Sequence, residues 1–209
     1  MSDDLNNLMK LKYPDKEWKT FTHTPLLHQM PEVYTETINK NRFYVTPEGN
    51  KYPSITTVLS GRAKEGINAW RERVGEAAAN RIMRAASSRG TAVHELAENY
   101  LNNEELKNQE VLPLFMFTQL KSELDNINNI VMQEGGLYSD KWGIAGRVDC
   151  IADYDGKLTV IDFKTSTKEK KEAWIENYFI QCTAYCEMYE ERYGQAIDQI
   201  AILIVCEDG

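Results

Sequence analysis

Two carboxylates and a lysine stand out in residues 146–166, "GRVDCIADYDGKLTVIDFKTS": Asp149, Asp162 and Lys164. Two β-rich runs flank Asp155-Gly156, a strong signal for a two-residue hairpin turn. If Tyr154 pairs with Lys157 across that turn, Asp149 falls opposite Asp162 and Arg147 opposite Lys164. Directly opposed side chains lie about 4.5–5.5 Å apart, where like charges destabilise the pair. Two facing carboxylates are tolerable with a divalent cation between them, and Mg²⁺ takes one or two carboxylates together with waters and substrate phosphate oxygens. A lysine two positions from such a ligand can address the same phosphate. The bland alternative is a salt-bridged surface network, Arg147 with Asp149 and Asp162 with Lys164.

A second stretch, "SSRGTAVHELAENYL", sets His94 and Glu98 one turn apart on a predicted helix, hence on one face. An imidazole can supply a nitrogen ligand to a metal whose other ligands are oxygen. A lone helical histidine is more often packed or solvated; here it accompanies the carboxylates. Charge is distributed unevenly. Between Leu59 and Gly90 seven basic residues face three acidic ones, whereas from Glu172 onward Arg192 stands against eight. Such a basic segment binds phosphate or simply forms a solvated helix face.

These residues need a scaffold, and 209 residues suffice for one substantial core. Residues 1–42 read as a loosely organised polar arm and 43–209 as one domain without repeats. "NRFYVTPEGNKYPSITTVL" reads as a strand, a turn around Pro47-Gly49, and a second strand or helix start near Ser54. Helices are expected over Ile67–Ala86 and Thr91–Leu101, separated by Ser87, Ser88 and Gly90, then over Leu114–Met132 and Glu172–Tyr193, the last stopped by Gly194. A final apolar strand, "QIAILIVCED", closes the pattern. Strands embedded among helices imply an α/β fold, a mixed central sheet flanked by helices. Alternation assigns Val148, Cys150 and Ala152, with Phe163, Ile161 and Thr159, to an apolar face. No run approaches the ~18 apolar residues of a membrane span, and the polar N-terminus lacks a signal-peptide core. Four cysteines in apolar runs without CxxC spacing fit buried reduced thiols and a cytoplasmic protein. The net charge of −8 gives no global pull on nucleic acid, so contacts with it must be local.

Together these residues resemble the PD-(D/E)XK nucleases. Asp149 followed by Asp162-Phe163-Lys164 is similar to the D…(D/E)xK core, with Val148 where the family's name puts proline. "RGTAVHELAE" resembles the histidine helix of the RecB-like branch, and Gln181…Tyr185 matches its QxxxY element. "YPSITTVL" and "IDFKTS" are similar to the mitochondrial genome maintenance exonucleases and related phage exonucleases. The resemblance covers roughly residues 43 to 206 and implies a restriction-endonuclease-like fold. It implies Mg²⁺ or Mn²⁺ bound by His94, Asp149, Asp162 and the Phe163 carbonyl. Lys164 would orient the attacking water and stabilise phosphate charge, with Gln181 and Tyr185 supporting Lys164 or the DNA backbone. Tyr185 also belongs to an apolar helical stripe and can serve as core. Iron–sulfur members place one cysteine before the histidine helix and three near the end. Here no cysteine precedes Cys150, and Cys182 and Cys186 sit one turn apart, so no iron–sulfur cluster is expected.

The resemblance points to DNA exonuclease action at single-stranded ends, in replication, recombination or repair, by a protein encoded by a phage. No groove-reading module is visible. A basic helical segment with Trp70 suits single-strand contacts that combine phosphate binding with stacking. The expected DNA-binding set is Ser54, Arg62, Arg71, Arg81, Arg84 and Arg89, some of the arginines lining a passage to His94. Lys168, Lys170 and Lys171 offer another path. Because the sequence stops soon after Cys206, a second reading is a nucleic-acid-binding module that keeps the fold without turnover. Oligomeric state stays open.

Overall fold

The computed structural model describes residues 18–26, 32–39, 41–107 and 110–208. Of the expected arm, residues 1–17, 27–31 and 40 lie outside the described residues. Strands β1 (Tyr34–Ile38), β2 (Asn41–Val45) and β3 (Lys51–Pro53) form a small antiparallel sheet. Helices α1 (Ile55–Val74), α2 (Glu76–Leu101) and α3 (Val111–Leu124) follow. The main sheet has the order β4 (Ile127–Ser139), β5 (Ile144–Tyr154), β6 (Lys157–Ser166), β7 (Gln199–Cys206). β4, β5 and β6 pair antiparallel, and β7 pairs parallel to β6 after a crossover through α4 (Glu176–Tyr193). The sheet is mixed and helix-flanked, as the alternation of elements implies.

Two apolar cores lie against this sheet. In one, Cys150, Ala152, Ile161 and Phe163 pack against Val93, Leu96 and Tyr100 of α2 and Met116 and Phe117 of α3. Phe21, from the segment expected to be a loose arm, is buried in the same core. In the other, Ile151 and Val160 pack beneath Cys182, Tyr185, Met188 and Tyr189 of α4 and Ile55 of α1. Val148 joins this second core rather than the expected set. Among the described residues no helix is long and apolar enough to cross a membrane.

Several expected boundaries are wrong. The first helix begins at Ile55 rather than Ile67. The chain breaks at Gly75, whose φ of +85° favours glycine, and α2 then runs unbroken through Ser87, Ser88 and Gly90. A helical glycine costs only about 1 kcal/mol, which burial of Val93, Leu96, Ala97, Tyr100 and Leu101 offsets. The third helix ends at Leu124, and Ile127 opens a 13-residue strand where helix was expected to Met132. Asn129, at φ +47°, adds an irregularity that further blurs the strand signal.

Candidate active site

The β5–β6 ladder starts at Tyr154↔Lys157, as the turn predicts, and stops at Cys150↔Ile161. Beyond that point β6 stays with β7, pairing Lys164 with Ile204, while β5 stays with β4. The expected opposition of Asp149 to Asp162 and Arg147 to Lys164 is replaced by a fork. Asp149 bridges it: its Oδ2 accepts the Phe163 N–H at 2.8 Å, satisfying a donor that the ladder no longer serves. Arg147 lies 4.0 Å from Glu134 on β4, and the Lys164 ammonium is ion-paired to Asp162. Half of the surface-network alternative is therefore present and half is not.

Asp162 is 1% exposed, and no hydrogen bond of regular geometry reaches either carboxylate oxygen. Such a group is costly to bury unless a charge compensates it. α2 brings His94 Nδ1 to 3.6 Å from Asp149 Oδ2 and sets the imidazole edge-on to the Phe163 ring. The Phe163 carbonyl lies against His94 and 3.5 Å from Lys164 Nζ. Burial, then the Lys164 charge, holds His94 below its ordinary range, which favours the neutral form a metal requires. Burial raises Asp149 and Asp162, outweighing Lys164. Lys164 is itself held above its ordinary value, because Asp162 and Asp149 overcome its own desolvation.

α4 supplies Gln181, whose Nε2 donates to Tyr185 Oη at 3.2 Å. Tyr185 is 2% exposed within the second core and is also among the residues that line the cleft. Gly146 makes room for it: a Cβ there would sit 2.6 Å from Tyr185 Cε1. Ser54 caps α1, its hydroxyl accepting the Thr57 N–H at 3.0 Å. Ser54, Gln181, Tyr185, His94 and Asp149 all line one cleft of about 550 Å³.

The basic segment is placed differently from expectation. Arg62, Arg71, Arg81, Arg84 and Arg89 are not among the cleft-lining residues; Arg42 and Arg147 are its two arginines. Arg62 pairs with Glu176 at 3.0 Å and Arg71 with Glu76 at 2.5 Å. Arg89, its side chain 11% exposed, is turned to Glu207. Arg81 and Arg84 are exposed on α2. Lys164 and Lys170 both lie over the Tyr178 ring, at 5.2 and 5.3 Å, and Lys171 lies over Trp174.

Sequence reasoning missed Arg42 and Glu134. The second was hidden by reading Ile127–Met132 as helix; its signal was the β-branched pair Ile130-Val131 shortly before it. A ring nitrogen of His94 and carboxylate oxygens of Glu134 and Asp149 lie within 4.8 Å of one another. With the buried, under-bonded Asp162 beside them, this is a donor set suited to a hard divalent cation. Cys150 and Cys182 are buried in opposite cores.

A family model, that of the PD-(D/E)XK nuclease superfamily, matches residues 68–208. The chain belongs to that superfamily. Among curated relatives, the human mitochondrial genome maintenance exonuclease 1 is 25% identical over 176 residues, covering 77% of this chain and 51% of the relative. Its mouse counterpart is 26% identical over 175 residues, with the same coverage. The chain thus spans about half the length of the curated relatives it matches. Among PD-(D/E)XK elements, the D…DxK residues lie at the fork, and the QxxxY pair lines the cleft with Asp149, which Asp162 and Lys164 do not line.

Proposed function

We propose that the protein is a Mg²⁺- or Mn²⁺-dependent DNA exonuclease, hydrolysing phosphodiester bonds at single-stranded ends. The observation that carries this reading is the fork, which gathers His94, Asp149, Asp162 and Lys164 around one strand break in the sheet. His94, Asp149, Asp162 and the Phe163 carbonyl would hold the cation, which supplies an activated water and neutralises phosphate charge. Lys164, fixed between Asp162 and the Tyr178 face, orients the attacking water and stabilises charge developing on the phosphate. Gln181 and Tyr185 hold the substrate backbone against that point. Ser54, Arg42 and Arg147 border the route by which a strand enters.

Single-strand preference is supported by the exposed Arg81 and Arg84 and by the lysines over Tyr178 and Trp174, cationic and aromatic surfaces of the kind that grip unpaired strands. The names of the relatives support a role in DNA maintenance. We infer a phage-encoded enzyme working in the bacterial cytoplasm in replication, recombination or repair from the resemblance of "YPSITTVL" and "IDFKTS" to phage exonucleases. End-labelled single- and double-stranded DNA, incubated with and without Mg²⁺ or Mn²⁺, tests the proposal. Metal-dependent release of label, faster from single strands, is expected. Binding without cleavage would replace the enzyme by a nucleic-acid-binding module.

A further inference from the structure

We propose that Glu134 is a ligand of the divalent cation, forming with His94 and Asp149 a three-donor position on the β4 side of the fork. The inference rests on the nuclease reading above and extends its ligand set. The three donors come from α2, β4 and β5, and their ligating atoms already lie within 4.8 Å of one another. Two donors sharing one Mg²⁺ at about 2.0–2.1 Å sit roughly 3–4 Å apart, so small side-chain movements close the set.

Neighbouring pairs, Gln133↔Cys150 and Gly135↔Val148, place Glu134 across from Asp149. Asp149 thus has a carboxylate on each neighbouring strand, Glu134 on β4 and Asp162 on β6. Like charges so placed repel. The cations nearby do not resolve this: Lys164 is committed to Asp162, and Arg147 stands 4.0 Å from Glu134 with half its side chain exposed. An ion pair that open offsets little of the repulsion. Asp162, 1% exposed with neither oxygen regularly hydrogen-bonded, takes up the Lys164 charge and leaves none for Glu134 and Asp149.

The backbone agrees. Glu134 adopts φ +46°, a left-handed conformation costly for a residue with a side chain. The β4–β5 register runs past it unshifted, from Gln133↔Cys150 to Gly135↔Val148, so the conformation does not serve a bulge.

The test is Mn²⁺ titration of the full chain without DNA by calorimetry, alongside the melting temperature with and without millimolar Mn²⁺. Wild type, Glu134→Gln, Glu134→Asp and, as a control on the cleft rim, Glu95→Gln are compared. Glu134→Gln should weaken Mn²⁺ binding at least about ten-fold and shrink the melting response, while melting in EDTA shows that it folds. Glu134→Asp should retain part of the affinity, and Glu95→Gln all of it. Wild-type binding matched within two-fold by a folded Glu134→Gln overturns this ligand and leaves the metal-dependent reading standing. A wild type that binds no Mn²⁺, with or without oligonucleotide, overturns both.

Discussion

Asp149 Oδ2 stands 2.8 Å from the Phe163 nitrogen, in the place of the strand partner that β6 loses where the sheet forks. One carboxylate therefore serves the fold and the proposed chemistry, and two substitutions separate the roles. Asp149→Asn keeps an acceptor for the Phe163 N–H; Asp149→Ala leaves that donor unpaired, which costs about 1–3 kcal/mol when buried. Both variants should lose cleavage, but only the alanine variant should lose that much stability in urea unfolding. Equal stability of the two would show that the N–H finds another acceptor.

Lys164 should matter to turnover more than to binding. Its ammonium is already held by Asp162 and the Tyr178 ring, so it contributes most as phosphate charge develops. Lys164→Ala should lower single-turnover cleavage by ~10²–10³-fold with little change in DNA affinity. Wild-type rates from the variant would remove Lys164 from the reaction.

Stability without metal should depend on pH through Glu134. Burial, then the charges of Asp149 and Glu98, pushes its carboxyl up to about 7 against the pull of Arg147. The fold thus favours the protonated form. Its contribution is complete below the ordinary carboxylate range and lost as pH rises through about 7. Glu134→Gln, which cannot ionise, should melt with wild type near the bottom of that window and above it at pH 8, both in EDTA. Melting curves that stay parallel across the window would mean the carboxylate ionises without cost.

The arginines divide by partner. Replacing exposed Arg81 and Arg84 together by Ala should flatten the salt dependence of single-strand binding by ~0.7 for each phosphate no longer neutralised. Arg89, turned to Glu207, should behave otherwise: Arg89→Ala lowers stability and leaves the slope alone. A slope changed by Arg89 and untouched by the pair would move the strand to the opposite side of α2.

The hairpin, the DxK residues and the histidine helix were legible in the sequence because each rests on local spacing. Asp155-Gly156 fixes the turn, and the turn fixes the register as far as Cys150. The end of a ladder is not local. Asp149 meets the Phe163 N–H because β6 continues along β7, a strand some forty residues later in the chain. Gly75 and Gly90 look alike in sequence, yet only the first has positive φ, because tertiary packing carries α2 through the second. Glu134 was lost with its strand, whose apolar residues follow neither clean alternation nor helical period near Asn129. Arg89 illustrates the remaining gap: its nearness to His94 in sequence says nothing of Glu207, brought alongside by the last strand.

Between Ser60 and Ser88, across the end of α1 and the start of α2, Ala79 is the buried side chain among those described. Segments with so little apolar burial open at low free-energy cost and exchange their amides early. The arginines proposed to meet the substrate thus ride on a segment with little buried apolar surface to hold it. Gripping a strand and ordering these two helices become one event. Part of the binding energy is then spent on local folding, and an oligonucleotide long enough to reach Arg81 and Arg84 will slow amide exchange there while leaving α3 as it was.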